Sequence, residues 1–264
     1  PCYPSFYYAG DMDFANVLPQ LNAKPTLWMV GDSIMQSYAP GDKPVTGWGE
    51  VLHTLAHGDA VCQTAHRADC PFPQEMRYEL PGLVIDNCAM AGRSSKTFRE
   101  EGRLDDIAAH IRPGDLLVVS FGHNDANHNK AERYVSADAF GESLRPFWDA
   151  ARSHGAVCIF VSPVAMREFD EAGVCHPSFA AYREAMRAFA AEVGAPFIDL
   201  GAATAAANTA FGAERCKARY MWVGAKQDNA HQQNAGACRT AQAFVQQFLQ
   251  DTTPALDVLR ANFK

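Results

Sequence analysis

Five short apolar runs recur along this chain of 264 residues, and each has the length of a strand buried in a sheet. Segments with apolar residues at helical spacing lie between and after these runs, so strands and helices are predicted to alternate. Such alternation is typical of a parallel sheet with right-handed crossovers and helices on both faces, which makes this an α/β chain. The predicted strands are residues 26–31, 83–88, 115–121, 156–161 and 196–200.

The alternation starts at Thr26 and continues along the chain, so we predict a single domain over residues 26–264. Residues 1–25 are rich in aromatic residues and proline without a regular period, which indicates an irregular N-terminal arm. Residues 62–81 contain three prolines and are predicted to be a loop-rich insertion. The predicted helices are residues 48–57, 137–154, 178–193, 202–211 and 234–249.

The charge balance excludes several classes of partner. The chain has 23 Lys and Arg residues against 30 Asp and Glu residues, a net charge of −7, and its cations form no cluster. We therefore expect no nucleic-acid partner and no binding to an anionic membrane surface. No apolar stretch approaches the roughly 18 to 20 residues of a membrane span. We expect a monomer.

The eight cysteines are more than a cytosolic protein of this size usually carries. Cys88 and Cys158 fall within predicted strands and are expected to be buried thiols. No Cys-x-x-Cys pair occurs in the sequence, which argues against a structural zinc site. Two loop-flanked pairs are candidates for disulfides if the protein is exported: Cys62 with Cys70, and Cys216 with Cys238.

The first apolar run ends abruptly in Gly31-Asp32-Ser33. A glycine lets the chain reverse there, and residues 34–38 are predicted to start a helix, so Ser33 would lie at a helix N-terminus. The backbone N–H groups of such an end favour a developing negative charge, which suits Ser33 to the role of nucleophile in acyl transfer. Taken alone, the tripeptide equally describes an ordinary turn with a serine N-cap.

The second and third predicted strands also end in polar turns that begin with glycine, at Gly92 and Gly122. Because the carboxyl ends of parallel strands meet at one rim of a sheet, these turns should converge with Ser33. Attack on an ester carbonyl produces an oxyanion that needs fixed donors about 3 Å away. We expect three such donors: the backbone N–H groups of Ser33 and Gly92, and the side-chain amide of Asn124.

A carboxylate and a histidine, Asp228 and His231, precede the last predicted long helix. A carboxylate three residues before a histidine can orient its imidazole ring, and Ser, Asp, His is a chain order in which nucleophilic triads are built. We therefore predict Ser33 as nucleophile, His231 as its base and Asp228 as the group that fixes the tautomer. The alternative is an acidic residue at a helix start followed by an exposed histidine.

The chain resembles the SGNH hydrolase superfamily, the lipase and esterase group with a Gly-Asp-Ser motif, in four sequence blocks. In chain order these blocks are Gly31-Asp32-Ser33, Gly92, Gly122-His123-Asn124-Asp125 and Asp228-x-x-His231. Residues 87–98 and the turn Gly122-His123-Asn124-Asp125 are similar to rhamnogalacturonan acetylesterases and their bacterial relatives, which remove acetyl groups from plant polysaccharides. The resemblance spans about residues 26–249. It implies a flavodoxin-like, three-layer α/β/α domain with a central parallel sheet of about five strands. It also implies the triad and the oxyanion hole already named.

Two features depart from the family pattern. Ala230 and Gln232 stand where threonine is expected, and Met166 interrupts a segment, residues 163–169, that is usually richer in arginine. These departures leave the natural polysaccharide open more than they affect the chemistry.

Three residues near the predicted site are candidates for contacts with substrate: Arg93, His123 and Trp222. Arg93 would contact substrate or pair with a carboxylate, and the indole of Trp222 could stack on a sugar ring. A metal site built from His123, Asp125 and His128 is disfavoured, because polar loop clusters of this kind usually solvate a turn. We expect neither a metal nor another cofactor.

The sequence therefore predicts a serine esterase that deacetylates a carbohydrate such as pectin, rhamnogalacturonan or xylan. One alternative keeps the triad but acts on a short-chain lipid ester or a thioester, and another is a carbohydrate-binding protein without activity. The cysteine count and a polymeric substrate favour a secreted or periplasmic location, and a cytoplasmic one stays open.

Overall fold

The strand that leads to Ser33 lies in the middle of a sheet. The computed structural model describes residues 24–57 and 63–264, and in it β1 (Thr26–Gly31) pairs in parallel with β4 (Val84–Asn87) on one side and β5 (Leu116–Ser120) on the other. All six residues of β1 are buried. Helices cover both faces of the sheet at this point, which explains the continuous apolar sequence of the strand.

Two strands more than predicted extend the sheet. Its order is β2-β3-β4-β1-β5-β6-β7, and the five strands from β4 to β7 along this order are parallel. The remaining two, β2 and β3, are antiparallel and come from the segment predicted to be loop-rich. The other strands of the sheet are β2 (Gln63–Ala65), β3 (Met76–Glu79), β6 (Val157–Val161) and β7 (Phe197–Ile198).

The prediction of a loop-rich insertion over residues 62–81 missed these two strands because they are short and largely open to solvent. In β3, Tyr78 is buried while Glu79 is exposed, and the three residues of β2 are exposed. Such short edge strands lack the continuous apolar sequence of the parallel strands. The prolines nearby then dominate the local signal.

Most of the predicted helices form close to their expected bounds. The predicted helix 48–57 is a short α-helix followed by a 3₁₀ turn, Leu52–Leu55. The helices are α1 (Trp48–Val51), α2 (Ser95–Glu100), α3 (Arg103–Ala108), α4 (Ala137–Ser153), α5 (Ala180–Val193), α6 (Leu200–Phe211), α7 (Ala213–Cys216), α8 (Asn234–Gln250) and α9 (Asp257–Asn262).

The helices form two layers, one on each face of the sheet. Alternate residues of β1 point to opposite faces. Leu27 and Met29 join an apolar cluster with residues of α1, α8 and α9. Trp28 and Val30 join a second cluster with residues of α2, α3, α4 and α5. The predicted three-layer α/β/α fold is thereby confirmed, with a seven-stranded, mostly parallel sheet in place of about five strands.

A separate hairpin lies outside the main sheet. It consists of β8 (Tyr220–Val223) and β9 (Lys226–Gln232), which pair in antiparallel fashion with an irregularity between Tyr220 and Met221. Asp228 and His231 lie on β9, so the alternative that placed them at a helix start was wrong. Trp222, expected in a glycine-rich loop, lies on β8.

The cysteine predictions have mixed outcomes. Cys88 and Cys158 are buried free thiols, as predicted. Cys216 and Cys238 are also free, so the predicted disulfide between them is not formed. Cys70 is free as well, and Cys62, its predicted partner, lies outside the described residues together with most of the predicted arm, residues 1–23.

Within residues 24–57 and 63–264, none of the helices has the length and apolar character needed to cross a bilayer. The same part of the chain contains no group of three or more His, Cys, Asp and Glu side chains arranged to hold a metal ion.

Candidate active site

Ser33 lies in a tight turn directly beyond the carboxyl end of β1. The carbonyl oxygen of Asp32 accepts hydrogen bonds from the backbone N–H groups of Met35, at 3.2 Å, and Gln36, at 3.1 Å. Gly31 is required at the strand end because a Cβ atom there would lie 2.7 Å from the carbonyl oxygen of Ser120. The close approach of β1 to β5 therefore fixes where the turn begins, and with it the position of Ser33.

The helix predicted after Ser33 does not form. In a helix the carbonyls of Ile34 and Met35 would accept from N–H groups four residues ahead. Here the Ile34 carbonyl accepts from the N–H of Trp48 at 2.9 Å, and the Met35 carbonyl accepts from Nδ2 of Asn87 at 2.9 Å. The returning chain and β4 thus take the acceptors that would have propagated the helix.

The structure brings Ser33, His231 and Asp228 into one hydrogen-bonded row. Nε2 of His231 lies 2.8 Å from Oγ of Ser33, and Nδ1 of the same ring lies 2.8 Å from Oδ2 of Asp228. If Nδ1 carries the proton and donates it to Asp228, Nε2 has a free lone pair facing the serine hydroxyl. This is the arrangement in which a histidine can take the proton of a serine.

Asp228 is suited to remain ionised. Burial raises the pKa of its carboxyl, but backbone N–H groups and the nearby His231 outweigh that effect, and the pKa lies below its ordinary value. Oδ1 accepts from the N–H groups of His231 and Ala230, both at 2.9 Å, which leaves Oδ2 to face the imidazole. A hydrogen-bonded carboxylate stabilises a histidine that gains a proton.

Asn229, one of the two residues between Asp228 and His231, is held by a second set of contacts. The carbonyl of Asn229 accepts from the N–H of Arg167 at 2.7 Å, and its Oδ1 accepts from Nε1 of Trp222 at 2.9 Å. The Arg167 guanidinium lies 4.6 Å from the centre of the Trp222 ring and donates to the carbonyl of Ala213 at 2.8 Å. Arg167 and Trp222 therefore fix the part of β9 that carries Asp228 and His231.

These contacts change the interpretation of Trp222, which was predicted to stack on a sugar. Its ring is occupied by the Arg167 guanidinium and by the ammonium group of Lys217, which lies 4.8 Å from the ring centre. A cation near an aromatic face is attracted by the ring quadrupole. In this structure Trp222 supports the hairpin. Arg167, which the sequence reasoning passed over, belongs to the same support.

Gly92 and Asn124 lie on turns that polar side chains hold in place. Gly92 has a φ of +78°, a conformation that favours glycine, and its carbonyl accepts from Nη1 of Arg133 at 3.2 Å. Nδ2 of Asn124 donates to the carbonyl of Arg93 at 3.0 Å, which orients the amide and leaves its second N–H for another acceptor. Losing one oxyanion donor typically slows acyl transfer by roughly a hundred- to a thousandfold.

Three further supporting residues, besides Arg167, were missed by the sequence reasoning. Oε1 of Gln36 accepts from the N–H of Ala91 at 2.5 Å, next to Gly92. The hydroxyl of Tyr38 donates to the carbonyl of Ser33 at 2.8 Å, and burial, together with the charge of Asp32, raises the pKa of this tyrosine. Arg133 is the third. Gln36 and Tyr38 follow Ser33 closely in sequence, but nothing in their residue types marks these contacts.

Two buried carboxyl groups, those of Asp32 and Asp125, lie near the carboxyl ends of the parallel strands. Burial raises the pKa of Asp32 to about 6, and Oδ2 of this residue has no hydrogen-bond partner in the described part of the chain. Burial raises the pKa of Asp125 to about 7, although Oδ1 accepts from Oγ of Ser95 at 2.6 Å and Oδ2 from the N–H of Gly122 at 3.1 Å. Asp125 thus fixes the turn that carries Asn124 rather than facing a metal.

His123 and Arg93, the other predicted substrate contacts, are engaged within the protein. Nε2 of His123 lies 3.0 Å from the carbonyl of Val164, and burial lowers the pKa of this histidine to about 4, so the ring is neutral and donates that bond. Nε of Arg93 donates to both carboxylate oxygens of Glu101, at 2.9 and 3.0 Å. The structure thus pairs Arg93 with a carboxylate, the alternative that the sequence left open.

The sequence of this chain matches a known family. The model of the GDSL-like lipase/acylhydrolase family matches residues 29–237, a range that contains Ser33, Gly92, Asn124, Asp228 and His231. The chain belongs to this family. It is accordingly a carboxylic ester hydrolase of the SGNH type.

Two relatives from Bacillus subtilis have names that describe an activity. A rhamnogalacturonan acetylesterase is 33% identical over 224 residues, which cover 81% of this chain and 85% of the relative. A probable rhamnogalacturonan acetylesterase is 33% identical over 214 residues, which cover 80% of this chain and 86% of that relative.

Solved structures show the same fold. A Bacillus subtilis protein superposes with a TM-score of 0.72 at 26% identity, and the match covers 88% of this chain but only 58% of that protein's chain. An acetylxylan esterase from Geobacillus stearothermophilus superposes with a TM-score of 0.56 at 19% identity, covering 84% of this chain and 93% of the other. The second likeness is one of fold alone.

Proposed function

We propose that this protein is a serine esterase that removes O-acetyl groups from a plant cell-wall polysaccharide, with rhamnogalacturonan as the first candidate substrate. The observation that carries the proposal is the row Ser33, His231 and Asp228, with both hydrogen bonds at 2.8 Å. The 33% identity to a named rhamnogalacturonan acetylesterase, over 81% of the chain, supports the substrate class. An acetylated xylan is the second candidate substrate.

The first half of the reaction forms an acetyl-enzyme. Nε2 of His231 takes the proton of Ser33, whose Oγ forms a bond to the acetyl carbonyl carbon. The carbonyl oxygen becomes an oxyanion, which the N–H groups of Ser33 and Gly92 and the amide of Asn124 stabilise. When the bond between this carbon and the sugar oxygen breaks, His231 gives the proton to that oxygen, and the sugar leaves with a free hydroxyl group.

The second half releases acetate. A water molecule gives a proton to Nε2 of His231 and attacks the acetyl carbon, and the same donors stabilise the second oxyanion. Collapse of this intermediate breaks the bond to Oγ, and the proton on His231 returns to Ser33. Asp228 stays ionised throughout and stabilises the imidazolium.

The test is acetate release from acetylated rhamnogalacturonan, acetylated homogalacturonan and acetylated xylan, with Ser33→Ala as the blank. We expect release from at least one polymer by the wild-type protein and none by the variant. Circular dichroism would check that the variant is folded. Binding of a polymer without acetate release would instead favour a carbohydrate-binding protein without activity.

A short-chain lipid esterase or thioesterase is the second candidate, because the family includes lipases. Comparing 4-nitrophenyl acetate with the butyrate and octanoate esters distinguishes the two. A deacetylase loses activity steeply as the acyl chain grows, whereas a lipid esterase retains it. A secreted or periplasmic location, which access to a cell-wall polymer requires, is part of the proposal.

A further inference from the structure

A groove of about 400 Å³ opens beside the turn that carries Ser33. One wall is the chain segment that follows the turn, from Gln36 to Asp42. The opposite wall belongs to the antiparallel extension of the sheet, with Met76 on β3 and Gln74 just before it. The groove therefore lies between the nucleophile turn and the part of the sheet that the sequence reasoning took for a loop.

The first wall is joined directly to the catalytic row. Tyr38 lines the groove and its hydroxyl donates to the carbonyl of Ser33 at 2.8 Å. Gln36 also lines it, and Oε1 of this residue accepts from the N–H of Ala91, next to Gly92. A ligand in the groove would thus contact the same side chains that hold the nucleophile and the oxyanion turn.

The second wall is held rigidly against the core. Met76 pairs with Asn87 across β3 and β4, and the hydroxyl of Tyr78 lies 2.8 Å from Oγ of Ser37. Nδ2 of Asn87 is in turn 2.9 Å from the same serine oxygen. Because both walls are tied to β4, the groove has a fixed width and is preformed for a ligand.

The lining has the composition that a sugar ring requires. Its ten residues combine apolar and polar side chains, so a ring with hydroxyls at its rim and C–H groups on its faces finds partners for both. None of the ten is a lysine or an arginine, which disfavours an acidic sugar. The polar residues are Gln36, Ser37, Asp42, His66 and Gln74, and the apolar ones are Tyr38, Ala39, Pro40, Pro73 and Met76.

We propose that this groove is a subsite for an uncharged sugar ring of the acetylated polysaccharide, a neighbour of the sugar whose ester is cleaved. The inference rests on the proposed function and adds to it the place where the polymer chain lies. Nε2 of Gln74 donates to the carbonyl of Cys88 at 3.5 Å, which orients the amide, and its Oε1 accepts a hydrogen bond from a sugar hydroxyl. Met76 packs on a ring face.

The test compares two values of kcat/KM, one for an oligosaccharide and one for a small ester. For each variant, kcat/KM is measured with the acetylated oligosaccharide that the wild type deacetylates best, and with 4-nitrophenyl acetate, which is too small to reach the groove. We expect Gln74→Ala and Met76→Ala to lower the ratio of the two values about tenfold, the effect of losing roughly one hydrogen bond or packing contact. The matched control is Glu79→Ala, an exposed residue on the same strand, which should keep the wild-type ratio.

A second measurement does not depend on turnover. Uncharged xylobiose should inhibit deacetylation of the oligosaccharide by the wild type more strongly than digalacturonate does, and Gln74→Ala should reduce this difference. Stronger inhibition by digalacturonate would overturn the assignment to an uncharged sugar.

The outcomes separate this inference from the proposed function. Acetate release from the oligosaccharide with an unchanged ratio in both groove variants would overturn the subsite and leave the esterase intact. A selective loss of activity on 4-nitrophenyl octanoate in these variants would assign the groove to an acyl chain instead. No acetate release from any carbohydrate by the wild type would refute the proposed function, and the subsite with it.

Discussion

The proposed nucleophile and its proposed base are held by two very different parts of the molecule. Ser33 follows β1, whose six residues are all buried between two parallel neighbours. Asp228 and His231 lie on a two-stranded hairpin outside the main sheet, and their side chains are 20% and 35% exposed. The core therefore positions one half of the catalytic row, and a few polar contacts position the other half.

This difference indicates where stability and activity separate. A change in the core around β1 removes apolar contacts and should lower the free energy of unfolding. A change at the hairpin removes contacts of Asn229, Arg167 or Trp222, which lie outside the two main apolar clusters and hold the segment that carries His231. Such a change should lower kcat with little effect on stability.

The largest effect is expected at the base itself. His231→Ala should lower kcat for 4-nitrophenyl acetate by about 10⁴-fold or more, because Ser33 then lacks a proton acceptor. The melting temperature should change little, since the His231 side chain is 35% exposed and packs in neither main apolar cluster. Steady-state kinetics measures the loss of kcat, and thermal unfolding monitored by circular dichroism measures the melting temperature. A collapse of the melting temperature would contradict the separation of the two regions.

The opposite result is expected in the core. Leu27 is fully buried at the start of β1, and Leu27→Ala should lower the free energy of unfolding by about 2–5 kcal/mol, the usual cost of this truncation. The activity per folded molecule should stay at the wild-type value. Leu249→Ala, at a 37% exposed position on α8, is the matched control and should leave stability within about 0.5 kcal/mol.

A smaller effect sharpens the role of the hairpin contacts. Arg167→Met removes the guanidinium next to Trp222 and Asn229 and should lower kcat about tenfold with an unchanged KM, a loss of about 1.4 kcal/mol of transition-state stabilisation. Arg167→Lys should recover part of the loss. The control is Arg215→Met, an exposed arginine beside Phe211. An equal loss of kcat in Arg167→Met and Arg215→Met would show that Arg167 does not position His231.

The smallest effect concerns pH. The pKa of His123 is about 4 in the folded protein and 6.5 in its ordinary state, so only the unfolded chain gains this proton as the pH falls between these values. Stability due to this residue is therefore present above pH 6.5 and lost as the pH falls towards 4. We expect denaturant titrations at several pH values to show that the free energy of unfolding decreases less with falling pH in His123→Gln than in the wild type. Glutamine retains a donor for the carbonyl of Val164. An identical decrease in the variant and the wild type would show that His123 does not contribute to the pH dependence of stability.

The sequence predicts the regions of this fold unequally, for a physical reason. The parallel strands are buried on both faces and appear as continuous apolar runs, so all five were found. The strands β2 and β3 have a solvent-facing side and were hidden by prolines. The turn after Ser33 was mistaken for a helix start because the competing donors, the N–H of Trp48 and Nδ2 of Asn87, come from distant parts of the chain.

The candidate site shows the same division. The residue types and spacing of Ser33, Asp228 and His231 allowed their hydrogen-bonded arrangement to be predicted, and the roles of Gly92 and Asn124 as oxyanion donors stay a prediction. The supporting contacts of Gln36, Arg133 and Arg167 were not predicted, since a hydrogen bond to a backbone carbonyl or N–H leaves no pattern in the sequence. Trp222 was assigned to substrate because only the structure shows the two cations at its ring.

The central claim is that Ser33 is a nucleophile activated by His231, and covalent trapping tests it most directly. The protein is incubated with a fluorophosphonate, in which an activated serine displaces fluoride from phosphorus, and the adduct is mapped by mass spectrometry. The account predicts one adduct, on Ser33, that is absent in Ser33→Ala and forms far more slowly in His231→Ala. An adduct on another residue, or labelling of Ser33 at the same rate without His231, would contradict it.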